Sequence, residues 1–572
     1  MQLNRSAFLS SLALVGGLLA TAAPAAAQCA SPTTGPDVIC GDVNGVQNYT
    51  ASGTLEALAL GTTSCNIGNQ ILNWIQNTVN HPLMTGGIFK YKVVGGSGRM
   101  EELGISWCKH AFAAFQENVC CTCSVGGDPL LQLLNPGCSD PYTPARNGTQ
   151  SLLGPRYQVN PNTGAYNASP PHPSGGNNGR IQVSTTDLEV SSASVRYFGE
   201  MMYIALDDAR ANNNDNNVSY RELSVTGSGT SWTFGTIGST VRMKGAVEAW
   251  KAVDPTVTLQ TVIVPEDSTA PYDGTAKLNL LFKTTSLGGG LWHYEYALHN
   301  LNSDRAVQAF SIPVPAGVNV TNIGFHDVNY LAGDGELGVN RDGTDWTSTL
   351  SGGALTWATQ TFAANNNANA LRFGTTYNFR FDADQPPSAV NLTLTQYKVV
   401  NNVVVAGVDG PSAPAAPAFA AFCLGDGTGT ACPCANNGAT GNGCANSANA
   451  AGANLAGVGT PSVLSDTAVL NATAMTGATC VFFQGSAQMA PVVVDDGLGC
   501  VTGSVIRLGT KAIGGGNSSF PQVGDPLISV RGAIPGAGGT YYYQCFYRNA
   551  ASGFCPPATS NRTNGVAVTW VP

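Results

Sequence analysis

Carboxylate and imidazole side chains are the groups in this chain that could perform acid–base or metal chemistry. His293 and Glu295 lie two positions apart in one strand-like segment, so both side chains point to the same face, about 7 Å apart. A single metal ion could bridge them with one further ligand. His299 lies about 20 Å from His293 along the same strand, which is too far to complete that site. The alternative is that this face of the strand is exposed to solvent.

A pair of carboxylates could also catalyse hydrolysis, because one can donate a proton while the other acts as a base or nucleophile. The candidates in this chain are Glu101, Glu102, Glu295 and Asp327. The sequence contains no Gly-x-Ser-x-Gly, His-Glu-x-x-His or Gly-x-x-x-x-Gly-Lys motif. Residues 423–572 contain no His and no Glu, so most of the usual general acids and bases are missing there, although Asp, Lys and Tyr remain.

Acidic loops could bind calcium, although the sequence firmly implies no cofactor. Four acidic side chains lie in one glycine-broken connection: Asp334, Glu336, Asp342 and Asp345. A second loop, residues 207–217, is rich in Asp and Asn. Neither has the spacing of an EF-hand, and Asp and Asn favour turns that need no metal. Residues 333–338 match a dinucleotide-binding pattern, but their two carboxylates would repel a pyrophosphate.

The 16 cysteines form two sets separated by a long cysteine-free stretch. The first set is Cys29, Cys40, Cys65, Cys108, Cys120, Cys121, Cys123 and Cys138. The second set is Cys423, Cys432, Cys434, Cys444, Cys480, Cys500, Cys545 and Cys555. Two even sets in an exported chain predict two disulfide frameworks, with the pairing inside each set left open. The alternative is a zinc or copper site that combines cysteines of the first set with His81 and His110.

The first 27 residues predict export. Arg5 supplies a positive charge, Ala7–Ala20 is apolar, and Ala25–Ala27 offers a small-residue cleavage site that would leave Gln28 as the new N-terminus. An apolar stretch of about 14 residues is shorter than the roughly 20 that a membrane-spanning helix needs. We therefore expect an extracellular or cell-surface protein with no transmembrane segment after signal cleavage.

Composition argues against nucleic acid as a partner. Charged residues make up 11% of the chain and the net charge is -9, without a long block of Lys or Arg. Attraction to a phosphate backbone therefore has little to act through. The surface must instead be covered by neutral polar groups, which can form hydrogen bonds with sugars or with other surface components.

Composition and turn residues divide the chain into segments. We expect a signal peptide at 1–27, a Cys-rich domain with short helices at 28–175, a β-sandwich region at 176–410, a Pro/Ala linker at 411–422 and a Cys-rich β module at 423–572. Apolar residues on one side of the segment predict a helix over 69–80, and apolar residues at four-residue spacing predict a second helix over 100–118. The length of the sandwich region fits either one sandwich or two.

The predicted fold class is mainly β and multidomain. Short runs bounded by Gly, Asn, Asp or Pro predict strands, among them 292–299 in the centre and 527–530 in the last module. Alternation places Trp292, Tyr294 and Tyr296 on one face of the 292–299 strand, which we expect to be the core face.

Several stretches resemble modules of uncharacterised secreted bacterial proteins. They are Phe422–Gly427, Cys432–Gly438, Gly443–Ser447, Ile506–Lys511 and Val566–Trp570 in the last module, with Gly61–Asn69, Gly137–Tyr142 and Tyr294–Leu301 before it. The resemblance implies export and a shared architecture. It implies no activity and no functional residue.

These observations favour a secreted, non-catalytic binding or structural protein that contacts glycans or cell-surface material. Trp232 and Trp346 are the aromatic residues expected to be exposed for stacking on sugars. Two other readings remain: a secreted hydrolase that uses carboxylates of the first two domains, and an adhesin stabilised by calcium.

Overall fold

The computed structural model describes residues 32–110, 113–124, 126, 128–149, 154–156, 159–165, 177–267, 274–331, 341–414 and 418–572. The chain divides into two compact units between residues 414 and 415, a position within the predicted linker 411–422. The prediction of a mainly β, multidomain chain is confirmed. The signal peptide and Cys29 lie outside the described residues.

The larger unit begins with strands that belong mostly to two sheets. They are β1 (Val38–Ser52), β2 (Leu55–Asn66), β3 (Leu72–Asn73), β4 (Leu83–Val94), β5 (Ser97–Ile105), β6 (Trp107–His110), β7 (Leu133–Leu134), β8 (Ser139–Tyr142), β9 (Gly154–Pro155), β10 (Ile181–Ser184), β11 (Val195–Ile204), β12 (Val218–Ser228) and β13 (Ser231–Val241). The short strands β3 and β7 pair with each other. The short helices of this unit are α1 (Pro144–Thr149), α2 (Leu206–Arg210) and α3 (Ala249–Val253).

The same unit continues with strands of two further sheets. They are β14 (Thr258–Pro265), β15 (Thr275–Gly288), β16 (Leu291–Asn300), β17 (Val307–Pro313), β18 (Val320–His326), β19 (Thr347–Ser351), β20 (Ala354–Ala358), β21 (Thr376–Ala383), β22 (Pro387–Gln396) and β23 (Asn402–Pro411).

The four main sheets of the larger unit are named A to D here. In sheet A the strand order is β1-β2-β10, with β8 beside β2; in sheet B it is β13-β12-β11-β4-β6-β9, with β5 beside β4. Sheet C has the order β14-β15-β16-β21-β18, and sheet D the order β19-β20-β17-β22-β23. The pairings between strands of these sheets are antiparallel.

The four sheets stack in the order A, B, C, D, with an apolar core between each neighbouring pair. Leu60 of sheet A and Tyr197 of sheet B share one core, and sheets C and D enclose another. Phe89 of sheet B and Ala297 of sheet C share a third core with Trp250 of α3. Sheets B and C are therefore covered on both faces. As a consequence, Glu200 of sheet B and Glu295 and His299 of sheet C are buried although their side chains are polar.

The boundary expected at residues 175 and 176 is wrong, because strands from both sides of it pair in the same sheets. β10 pairs with β2, and β11 pairs with β4 over ten consecutive positions. The open question about residues 176–410 is also answered. This range supplies the whole C–D sandwich and completes the A–B sandwich begun by the preceding residues.

The helices expected over 69–80 and 100–118 are also wrong, since the described residues there form β3, β5 and β6 and irregular segments. A spacing of four residues is a multiple of two, so it places side chains on one face of a strand as well as of a helix. In β5, Met100 packs toward sheet C while Leu103 packs toward sheet A.

The smaller unit is built from strands and one helical turn. They are β24 (Phe419–Phe422), β25 (Asn454–Val458), β26 (Val469–Thr473), β27 (Thr479–Gly485), β28 (Ala487–Val494), β29 (Gly497–Thr502), β30 (Ile506–Ala512), β31 (Ser518–Phe520), β32 (Gly539–Arg548), β33 (Ser560–Arg562), β34 (Gly565–Trp570) and α4 (Ile528–Arg531). One sheet has the order β24-β34-β32-β27-β30, with β33 beside β32. A second sheet has the order β25-β26-β31, and β28 pairs with β29.

The strand predicted over 527–530 is helical instead. Arg531 N–H donates to the carbonyl of Leu527 at 2.9 Å, which closes one helical turn directly after Pro526. Ile528 is buried while Val530 is exposed. These two positions would share one face of a strand.

The disulfides between described cysteines lie within the two predicted sets. In the larger unit they join Cys65 to Cys120 and Cys123 to Cys138. In the smaller unit they join Cys423 to Cys500, Cys432 to Cys444 and Cys434 to Cys555.

Four cysteines that were expected to be bridged are buried thiols: Cys40, Cys108, Cys480 and Cys545. The thiols of Cys480 and Cys545 contact each other by a hydrogen bond. Cys40 Sγ lies 3.3 Å from Thr62 Oγ1, and Cys545 Sγ lies 3.7 Å from Met475 Sδ.

Membrane-spanning helices were also not expected after the leader. Within the described ranges, no helix is both long enough and apolar enough to cross a bilayer.

Candidate functional site

The polar face of β16 is buried against sheet B, so the expectation that this face is solvated is wrong. Glu295 is 1% exposed and His299 is fully buried. The sequence could not show this, because the covering strand β5 belongs to a segment for which a helix was predicted. The opposite face of β16 carries Tyr294 and Tyr296 into the C–D core as expected.

A first group of charged side chains, the His293 cluster, lies between β5, β16 and β21. It consists of Arg99, Glu101, His293, Glu295 and Asp382. His293 Nδ1 lies 2.6 Å from Asp382 Oδ1, and its Nε2 lies 3.1 Å from Glu295 Oε2. Arg99 contacts Glu295 Oε2 at 2.9 Å and Glu101 Oε1 at 3.3 Å.

Electrostatics in the His293 cluster favour the charged forms. Burial lowers the pKa of His293, but the hydrogen bonds to Glu295 and Asp382 outweigh this and raise its pKa above the usual value. Burial raises the pKa of Glu101, yet nearby His326 and Arg99 outweigh it, so the net shift is downward. A carboxyl with a lowered pKa stays ionised near neutral pH and is a poor general acid.

The direct contact between His293 and Glu295 also bears on the metal ion that could bridge them. His293 Nε2 and Glu295 Oε2 meet at hydrogen-bond distance, so each of these side chains has the other as a partner. Among the described residues, no group of three or more His, Cys, Asp or Glu side chains is arranged to hold a metal ion.

A second group, the Arg156 cluster, lies deeper between sheets B and C. It consists of Glu102, Arg156, Glu200 and His299, all fully buried. Arg156 Nη1 lies 4.0 Å from Glu102 Oε1 and 3.7 Å from Glu200 Oε1. Its Nη2 donates to the carbonyl of Gly86 at 2.6 Å.

Backbone amides bind the other carboxylate oxygens of this cluster. Thr376 N–H donates to Glu102 at 2.7 Å, and Ala246 N–H donates to Glu200 at 2.8 Å. Burial raises the pKa of both carboxyls and lowers the pKa of His299 to about 3. Because none of these side chains is exposed to solvent, the cluster joins the sheets and offers no surface to a substrate.

Asp327 lies apart from both clusters. Its carboxylate accepts a hydrogen bond from the side-chain amide of Asn369, and burial raises its pKa to about 7. The four carboxylates considered for hydrolysis are therefore divided. Glu101 and Glu295 share Arg99, Glu102 belongs to the Arg156 cluster, and Asp327 is separate.

The structure describes half of the candidate calcium loop, since Asp334, Glu336 and the 333–338 pattern lie outside the described residues. Asp342 Oδ1 accepts hydrogen bonds from Thr344 N at 3.0 Å and Thr344 Oγ1 at 2.6 Å, and Asn365 donates to Oδ2 at 3.0 Å. Oδ1 of Asp342 thus stabilises a turn, and Oδ2 ties this turn to Asn365. Calcium binding there, with Asp345, stays a prediction.

The second acidic loop also uses its carboxylates inside the protein. Asp207 accepts from the backbone amide of Asn73 at 2.8 Å, and Asp208 accepts from Val38 N–H at 2.9 Å. Asp215 forms an ion pair with Lys277.

The cysteines and histidines considered for zinc or copper are drawn into different contacts. The rings of His81 and His110 stack with their centroids 4.5 Å apart. Cys120 and Cys123 are both in disulfides, so their sulfur atoms are not available as thiolate ligands.

Neither of the two aromatic residues expected to stack on sugars is fully exposed. Trp346 is 3% exposed and packs against Phe325 with ring centroids 5.7 Å apart. Trp232 is half-buried at the end of sheet B, where its Nε1 donates to the carbonyl of Gly229 at 3.0 Å. The prediction is therefore wrong for Trp346.

Sequence reasoning missed Arg99, Arg156, Glu200 and Asp382, which complete the two clusters. One indication was present: Glu200 is the single acid in the otherwise apolar run Gly199–Ile204, and an isolated acid in a buried strand needs a partner. Arg156 has no comparable pattern around it, because it lies in an irregular segment rich in Gly and Pro.

Comparison with known proteins identifies no family. No protein family model and no curated protein matches the chain. A solved structure described as Actinomyces fimbrial adhesin FimA aligns with 55% of this chain and 96% of that chain, at 10% sequence identity and a TM-score of 0.11. At that TM-score the similarity carries no argument about this chain.

Proposed function

We propose that this chain is an extracellular, non-catalytic binding or structural protein whose partner is neutral glycan or other cell-surface material. Disulfides in both units support a location in an oxidising compartment. The low content of charged side chains supports contacts made by hydrogen bonding.

The observation that carries the proposal is that the candidate catalytic acids form contacts inside the fold. Glu101 and Glu295 neutralise one arginine, and a glycosidase needs two carboxyls across an open cleft, one of them with a raised pKa. Glu102 and Asp327 do have a raised pKa. Glu102 is fully buried, and Asp327 is bound by an asparagine side chain.

A glycan array probed with the full chain tests the proposal. We expect retention on a subset of uncharged glycans, because a surface poor in charge gains little from acidic sugars. If the chain is retained on no glycan of the array, glycan binding is excluded. A chain with Gln488→Ala, at an exposed position of β28, is a matched control and should be retained on the same glycans.

A further inference from the structure

The smaller unit has an open groove of about 590 Å³. Its walls are formed by β26, β31 and the turn between β30 and β31. This volume falls in the usual range for small-ligand sites. The groove is formed entirely by residues of one unit.

Strand pairing explains why the groove is polar on one side. Asn471 of β26 lies directly opposite Ser519 of β31, and their side chains share a face with that of Thr473. The neighbouring positions Leu470 and Phe520 point to the other face, where both are buried in the core of the unit. The alternation of the two strands thus fixes a row of amide and hydroxyl groups along the groove.

These polar groups are not used to hold the unit together. The side chains of Asn471, Asn517, Ser519 and Gln522 line the groove, and none of them hydrogen-bonds to another described residue. Each amide presents one acceptor and two donor hydrogens, a combination that matches neighbouring hydroxyls of a sugar ring. Hydrogen-bonding capacity is therefore available to a ligand without breaking any internal contact.

The charge of the groove lining also bears on the kind of ligand. Among the described residues, no Asp, Glu, Lys or Arg lines it. The two charged side chains beside it, Lys511 and Asp525, pair with each other at 2.5 Å. Residues 423–572 contain five Asp against five Lys and Arg, so this part of the chain exerts little attraction on an ion.

We infer that the Asn471–Ser519 groove binds a neutral oligosaccharide through hydrogen bonds from its amide and hydroxyl side chains. This assignment rests on the proposed function and gives it a location and a ligand class. A short neutral sugar fits the volume, the absence of charge among the described lining residues and the available amide and hydroxyl groups together.

The test uses the full chain and the uncharged oligosaccharide that the array retains most strongly, titrated by calorimetry. We expect the double variant Asn471→Ala with Asn517→Ala to weaken binding about tenfold, because the hydrogen bonds from both amides would be lost. Gln488→Ala removes an exposed amide of the same unit outside the groove lining and should leave affinity unchanged. Thermal unfolding of each variant confirms that it is folded.

The outcomes separate the two claims. If the chain binds the sugar and the folded double variant binds it equally well, the groove is wrong while the proposed function stands. If no glycan is retained at all, the glycan-binding function and the groove fail together. Stronger retention of sulfated or sialylated glycans, or competition for the groove by an extended peptide, would overturn the assignment to a neutral sugar.

Discussion

At the scale of single residues, His293 shows how neighbouring charges can decide a side chain's ionisation. The ring is held between Asp382 and Glu295 at 2.6 and 3.1 Å, and these contacts outweigh the effect of burial on its pKa. These contacts thus favour the imidazolium form of His293 in the folded structure, where Arg99 also pairs with Glu295.

Stability should therefore fall as pH rises through the folded-state pKa of His293. Because this pKa is raised above its unfolded value of about 6.5, the stabilisation is complete below that pH and is lost above it. One proton limits the slope to about 1.4 kcal/mol per pH unit. Urea unfolding of the wild type and His293→Gln between pH 5.5 and 8.5 should show a free energy of unfolding that falls more steeply with pH in the wild type. Other groups that titrate in this range, such as Asp327, contribute equally to both proteins.

His110→Gln is the matched control, since burial lowers the pKa of His110 to about 4. Removal of the His110 imidazole should alter the pH dependence of the free energy of unfolding below about pH 6.5 and not above it. Equal slopes above that pH in the wild type and His293→Gln would show that His293 does not carry the charge assigned to it.

At the scale of elements, the Arg156 cluster fastens sheet B to sheet C. Its carboxylates come from β5 and β11, while Thr376 of β21 binds one of them from the other sheet. Arg156 also donates to the carbonyls of Gly86 and Gly374, at 2.6 and 2.5 Å. One side chain thus connects three strands and a loop.

Arg156→Ala should lower the free energy of unfolding by about 3–5 kcal/mol, because it leaves two carboxyls buried without their counter-charge. Chemical denaturation measures the change. Arg146→Ala, at an exposed position of α1, should cost less than about 1 kcal/mol. Similar losses in both variants would show that the Arg156 cluster contributes no more than a surface charge.

Element by element, the sequence predicted the strands better than their partners. Alternation in β16 correctly placed Tyr294 and Tyr296 in a core. The other face of β16 is covered by β5, where Arg99 contacts Glu295 from 196 positions earlier in the chain. A local sequence pattern cannot reveal a contact at that separation. The four-residue spacing in β5 fits a strand and a helix equally, so periodicity alone could not decide between them.

At the scale of the whole molecule, composition correctly indicated a mainly β chain, and the Pro/Ala segment contains the division between the units. The boundary at 175 and 176 failed because loop composition does not report which strands pair. The candidate catalytic acids were recognisable as residues, but their arginine partners and their burial follow only from the stacking of four sheets.

Fragments should reproduce the observed division. Residues 418–572, with three internal disulfides, should unfold cooperatively on their own. Residues 28–175 should not, because their sheets lack β10 to β13. Differential scanning calorimetry of both fragments checks this, and a cooperative transition in the 28–175 fragment would contradict the shared sheets.

The most direct test of the central claim is an assay for new reducing ends after incubation of the full chain with uncharged and acidic polysaccharides, including those retained on the array. We expect the wild type to release no more product than Glu295→Gln and Glu101→Gln, with folding of all three confirmed by thermal unfolding. Release by the wild type that is lost in either folded variant would show that these carboxylates are catalytic and would contradict the account.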